Sequence, residues 1–178
     1  DGTGVEDLII EGFTSIGGNA FQGNSLLQYA HSSYVSSQNK LVNSTSGNGG
    51  YQFADKTALQ TAVDLWISNK SSALSTYGEI NTWDTSLVTD MNQLFRNKSS
   101  FNDNISNWNV SSVTNMSRMF LEATAFNQPI GSWNVSNVTK MEYMIAVAHA
   151  FNQPIDSWDV SKVTNMDSMF SLSESFNQ

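Results

Sequence analysis

From residue 76 onward the apolar positions recur at a fixed interval. Phe101, Phe126, Phe151 and Phe176 each open the string Phe-Asn-Gln or Phe-Asn-Asp. Trp83, Trp108, Trp133 and Trp158 keep the same spacing of 25 residues. So do Ile80, Ile105, Ile130 and Ile155, then Val88, Val113, Val138 and Val163, then Met91, Met116, Met141 and Met166. A fixed period of roughly 20–50 residues is the mark of repeats that bury their apolar stripes only by stacking.

Each unit divides by its periodicity. The first half reads Ile-x-x-Trp-x-Val-x-x-Val, as in Ile105, Trp108, Val110 and Val113. Trp108-x-Val110 alternates, which predicts a short strand with Asn109 facing outward. In the second half Met116, Met119, Phe120 and Ala123 stand at i, i+3, i+4 and i+7, the face of a short helix. Thr114, Thr139 and Thr164 are its predicted N-caps; Thr139 with Glu142, and Thr164 with Asp167, have capping-box spacing. The expected fold class is α/β: a leucine-rich-repeat-like solenoid, parallel strands on one face and short helices on the other, with an N-terminal helical cap. Ile-x-x-Trp-x-Val has the spacing of Leu-x-x-Leu-x-Leu.

The cap is expected just upstream. Asp55 precedes Ala58, Leu59, Ala62, Val63, Leu65 and Trp66, an amphipathic helix over roughly 55–70. The organisation is thus an N-terminal segment over 1–50 that ends in a Ser/Asn/Gly-rich loop, a capping helix within 51–75, and four 25-residue repeats over 76–178, the last incomplete. The final rung, with Trp158, Val163, Met166, Phe170 and Phe176, has no polar cover after it. Further residues of the chain or another subunit are expected to close that end.

Composition narrows the chemistry. Eight Lys and Arg against 16 Asp and Glu give a net charge of −8, which disfavours nucleic acid and anionic membranes. The chain holds 27 Ser and 20 Asn but no Cys, so disulfides and thiolate chemistry are excluded. No apolar run reaches the roughly 18 residues of a spanning helix.

The segments Phe126-Asn-Gln-Pro-Ile-Gly-Ser-Trp-Asn-Val-Ser-Asn-Val-Thr-Lys-Met141 and Phe151-Asn-Gln-Pro-Ile-Asp-Ser-Trp-Asp-Val-Ser-Lys-Val-Thr-Asn-Met166 resemble the surface-protein repeat of the BspA-like, DUF285 family, over roughly 80–178. Phe13-Thr-Ser-Ile-Gly-Gly-Asn-Ala-Phe21 is similar to the related BspA-type leucine-rich repeat. The resemblance implies an extracellular or cell-surface protein of bacteria, protists or algae. It implies no particular reaction.

Candidate sites weigh the same way. All seven Met residues fall on the predicted buried face, so they read as core rather than thioether metal ligands. The Trp column points inward and reads as core rather than a sugar platform. Asn102, Asn127, Asn152 and Asn177 read as a ladder that satisfies neighbouring backbone. Asp84, Asn109, Asn134 and Asp159, flanked by Ser86, Ser111, Ser136 and Ser161, form an outward strip. It is the candidate partner-facing surface; a Ca²⁺ site there is disfavoured by its thin charge. Sequons at Asn43, Asn97 and Asn104 read as loop positions and are the candidate glycosylation sites. His31 and His149 stand alone in sequence, and nothing marks a nucleophile, a phosphate loop or paired acids. The expected function is a non-enzymatic extracellular or cell-surface binding or adhesion module without cofactor or metal. Its partner would be a protein or glycan. The alternative is a building block of an extracellular fibre, wall or appendage, or an accessory subunit whose partners are neighbouring subunits.

Overall fold

The computed structural model describes residues 50–178. Two helices open this region, α1 (Lys56–Ser68) and α2 (Lys70–Tyr77), followed by a 3-10 turn over Ile80–Thr82. Asp55 caps α1, its Oδ1 accepting the Ala58 N–H at 2.9 Å. Leu59, Ala62, Val63 and Trp66 form the buried stripe. Asn69 serves both helices: its N–H closes α1 on the Leu65 carbonyl at 2.7 Å, and its Oδ1 opens α2 by accepting the Ser72 N–H at 3.1 Å. The amphipathic pattern thus folds as helix over nearly the expected span, and the Asn69 side chain sets the break. Gly78, at φ 75°, ends α2 in a conformation that costs glycine little.

The repeats depart from the α/β expectation. Among the described residues there is no strand and no sheet, only isolated parallel bridges Asp90–Asn115, Asn115–Lys140 and Lys140–Asn165, with one more between Gln52 and Asp84. The Trp-x-Val segment forms no ladder. Instead Val113 N–H turns back to the Val110 carbonyl at 2.9 Å, and Val138 does the same to Val135. Alternation still holds for burial: Trp133 and Val135 are buried and Asn134 is exposed. Period 2 in so short a segment reports which side chains turn inward, not which backbone groups pair across units.

The expected helices in the second half of each unit are also absent. The units here are joined by backbone hydrogen bonds. Met116, Arg118, Phe120 and Glu122 donate to the carbonyls of Lys140, Glu142, Met144 and Ala146 at 2.8–3.0 Å. Met91, Gln93, Phe95 and Asn97 donate likewise to the unit after theirs, as do Met141, Tyr143, Ile145 and Val147. The amides between close turns within the unit: Met119 to Met116, Leu121 to Arg118, Ala123 to Phe120. A helix would direct every amide to its own i−4 carbonyl and leave none for a neighbour. Alternate turns carry a left-handed residue at their third position, supplied by every fourth residue: Gln93, Asn97, Arg118, Glu122, Tyr143, Val147, Ser168 and Leu172 all have φ between 53° and 62°. Apolar spacing of i, i+3, i+4, i+7 suits this chain of turns as well as a helix. The threonines are therefore not N-caps. Thr139 donates from both N–H and Oγ1 to the Thr114 carbonyl, at 2.8 and 3.0 Å, and Thr164 repeats this on Thr139.

Stacking aligns each apolar column into a ladder. Phe101, Phe126, Phe151 and Phe176 follow one another at 5.9 Å between ring centroids, with planes within 16°. From the second unit on, each Trp indole of the column donates Nε1–H to the Ile carbonyl of the preceding unit: Trp108 to Ile80 at 2.8 Å, Trp133 to Ile105 at 3.3 Å, Trp158 to Ile130 at 3.1 Å; Trp83 donates to the Gly78 carbonyl at 3.2 Å. The Trp and Met columns are buried core, save Met166 in the last unit at 40 % exposure.

Helix α1 is fastened to the first two units by side chains. Trp66 lies edge-on to Trp83 at 5.7 Å, and Gln60 Nε2 donates to the Leu94 carbonyl. Asp103 accepts from Lys70 Nζ at 2.7 Å and from Trp66 Nε1 at 3.0 Å. Burial by itself raises the Asp103 pKa, but these hydrogen bonds and the Lys70 charge outweigh it and hold the carboxyl below the ordinary range. A carboxyl lowered in the folded state binds fewer protons there than in the unfolded chain. Its stabilisation is therefore complete above the unfolded value near ~3.9 and fades as pH falls through the folded one.

Two outcomes are expected. Trp133→Ala should cost about 3–5 kcal/mol in urea denaturation. Trp133→Phe should cost about 1–3 kcal/mol, because the buried Ile105 carbonyl loses its indole donor. Separately, the melting temperature should fall as pH drops below about 4, and Asp103→Asn should flatten part of that dependence while lowering stability at neutral pH.

Candidate binding surface

Strip residues are held by the local turn that follows each Trp. Asn109 Oδ1 accepts the Ser111 N–H at 3.1 Å and its Oγ–H at 2.7 Å; Asn134 does the same with Ser136 at 3.2 and 2.8 Å. Asp84 and Asp159 accept the N–H of Ser86 and Ser161 at 2.9 and 3.0 Å. These are Asx turns, which account for Asn or Asp followed two residues later by Ser in every unit. Hydrogen bonds from the Ser161 side chain and backbone, with a contribution from Lys162, lower the Asp159 pKa.

The structure places Asn109, Asn134 and Asp159 at the surface of consecutive units, with Ser111 and Ser136 half-buried and Ser161 exposed. Asp84 departs from the expectation. It is only 9 % exposed, accepts from Gln52 Nε2 at 2.8 Å, and is bracketed by backbone bonds to Tyr51 and Phe53. Segment 51–53 covers the strip's first member, which the periodicity of units 1 to 4 could not show.

A second series of Asx turns lies in the other half of three of the four units, at Asp90, Asn115 and Asn165, with Lys140 at this position in the remaining one. The asparagine ladder is present. Asn102 Oδ1 accepts the Asn127 N–H at 2.9 Å, Asn127 accepts from Asn152 at 3.0 Å, and Asn152 accepts from Asn177 at 3.0 Å. The Gln beside each adds a bond, as Gln153 Nε2 does to Asn127 Oδ1 at 2.9 Å. Near Pro154 the units approach closely: a Cβ on Gly131 would sit 2.4 Å from the Pro154 carbonyl oxygen.

Of the candidate glycosylation sites, Asn97 and Asn104 are exposed. Asn97 is left-handed at φ 61°, and Asn104 Oδ1 accepts the Ser106 N–H at 2.9 Å. Asn43 lies outside the described residues.

The sequence reading missed a second surface. The left-handed positions project at the outside of the turns, and their side chains differ from unit to unit. Arg118 pairs with Glu142 at 3.0 Å and lies over the Tyr143 ring at 5.4 Å. Tyr143 is 38 % and Leu172 68 % exposed. Aligning the units by their period gives Gln, Arg, Tyr, Ser in one column and Asn, Glu, Val, Leu in the other, a variability that was the available signal. Among the described residues no group of three His, Cys, Asp or Glu side chains is placed to hold a metal ion, and no helix is long and apolar enough to cross a membrane.

Residues 66–178 match the family described as "Mycoplasma protein of unknown function, DUF285". No curated protein and no solved structure matches the chain.

Asn134→Ala is expected to cost about 1 kcal/mol, since both Ser136 donors lose their acceptor. That exceeds the loss under ~0.5 kcal/mol expected of a merely outward residue. Asn127→Ala should cost about 1–2 kcal/mol by breaking the ladder, and Ser132→Ala, an exposed neighbour, under ~0.5 kcal/mol. Denaturant titration of the three variants checks the order.

Proposed function

The chain belongs to the DUF285 family, and we propose that it is a non-enzymatic binding or adhesion module of the extracellular space or cell surface. The observation that carries this reading is the division of labour within each unit. Residues that repeat serve the scaffold: Trp and Ile inside, Asx turns at the strip, asparagine hooks between units. The left-handed positions, which differ between units, are exposed or half-buried. A stack whose interior is uniform and whose surface is individual suits recognition of a protein or glycan. The Asn, Asp and Ser strip over Asn109, Asn134 and Asp159 offers further polar contact. Asn97 and Asn104, both exposed sequons, are proposed as glycan acceptors in a secreted form, with Asn43 as a third.

A second reading is a building block of a fibre or an accessory subunit of a larger assembly, in which Leu87, 53 % exposed, and Tyr143, 38 % exposed, would meet neighbouring subunits.

Antibody labelling of intact cells of the source organism tests the location. Labelling before permeabilisation, with a mass decrease on enzymatic removal of N-glycans, is expected. Labelling only after permeabilisation would refute the extracellular reading. Saturable binding of the purified chain to intact cells is expected of an adhesion module; sedimentation of the native protein within a stoichiometric particle would favour the assembly reading.

A further inference from the structure

Eight residues stand at left-handed φ in the turn chain, and none is glycine. For an L-residue with a Cβ that conformation costs roughly 1–2 kcal/mol, with Asn and Asp the tolerant exceptions. Only Asn97 belongs to the tolerant class. Glycine would satisfy the same turns with no steric cost. The turn backbone therefore gains nothing from a Cβ at these positions, yet the chain keeps Arg118, Tyr143, Glu122, Val147 and Leu172 there, and of these Arg118 also pairs with Glu142 of the next unit. Strain retained against a cheaper alternative points to use elsewhere.

Two independent observations point outward. These side chains are exposed or half-buried, so they do not build the core. They also change from unit to unit while Trp, Val, Thr and Met around them do not. A periodic ligand, such as a regular polysaccharide or a crystalline surface, would favour the same side chain on every rung. An aperiodic row matches an aperiodic partner.

We infer that the turn face centred on Arg118 and Tyr143 is a docking surface for a folded protein, which meets Tyr143 and Val147 with an apolar side chain and Arg118 with a carboxylate or main-chain carbonyl. This deepens the binding-module reading and rests on it. Arg118 has five N–H donors and one pairs with Glu142 at 3.0 Å, so donors remain for a partner. Its guanidinium is steadied over the Tyr143 ring, which pre-orders two residue types that dominate protein interfaces. By contrast, the Asx strip already uses its Oδ1 atoms within its own turns.

A photo-crosslinking amino acid is placed at position 143, and separately at position 136 on the strip, in the full chain within cells of the source organism. The expected result is a discrete polypeptide adduct from position 143. That polypeptide, once purified, should bind the Arg118→Ala and Tyr143→Ala proteins at least tenfold more weakly, and the Ser132→Ala protein within twofold of the parent. An adduct from position 136 alone would overturn the surface assigned here and leave the binding-module reading standing. An adduct that dissolves on polysaccharide digestion would overturn the partner class. No adduct from either position would overturn both readings. A second measurement needs no partner: Glu122→Gly, Ser168→Asn and Leu172→Asn combined should raise the melting temperature, and a fall would show that those side chains serve the fold.

Discussion

Everything in the repeat region follows from the backbone bond that crosses from one unit to the next. Every second amide along the turn segment donates to a carbonyl 24 residues ahead, as Arg118 does to Glu142 at 2.9 Å. The remaining amides have to be satisfied within the unit, because an unpaired buried N–H is costly. Closing them as four-residue β-turns drives the third residue of alternate turns into the left-handed region, which is where Arg118, Glu122, Tyr143 and Val147 lie. Backbone strain, side-chain projection and the spacing of the buried Met and Phe are thus consequences of one bonding choice.

The same choice sets the register of the side chains. Once the backbones are locked at a fixed offset, equivalent residues must stack, and the Phe rings follow at 5.9 Å. Polar groups inside the stack then find partners along it rather than across the unit. The indole of Trp133 reaches the Ile105 carbonyl, and Asn127 reaches the backbone of Asn152. Aromatic burial and ladder bonds reinforce each other: either would slip without the other, since a shift by one residue would unpair both. Helix α1 attaches to this frame through Trp66, Gln60 and Asp64, placing an amphipathic face against the first unit, with Asp64 paired to Lys98 and the Trp66 indole donating to Asp103.

Much of this was legible in the chain, and the errors were of one kind. The 25-residue period located the buried columns: Trp133, Val138, Met141, Met144 and Phe151 are all buried. The pattern Asp55, Leu59, Ala62, Val63, Trp66 located α1. The periodicity could not tell which backbone groups pair, because side-chain spacing is silent about hydrogen-bond direction. Met116, Met119, Phe120 and Ala123 fit a helix and a series of turns equally well, and nothing in their identities separates the two. No glycine marks the left-handed sites, so the usual sign of such turns was missing. Of the candidate surface, Asn109 and Asn134 were rightly placed outside, but their engagement in Asx turns with Ser111 and Ser136 was visible only once the backbone was in view. The buried setting of Asp84 depends on residues 51–53, outside the repeat from which its position was read.

The account stands or falls on where the amides of the turn segment donate. Trans-hydrogen-bond scalar couplings between amide nitrogen and carbonyl carbon report this directly for a labelled protein in solution. The account predicts a coupling from Arg118 N to the Glu142 carbonyl carbon, with companions from Phe120 to Met144 and from Tyr143 to Asp167. Couplings from Arg118 to Thr114 and from Phe120 to Met116, the i−4 pattern of a helix, would contradict it.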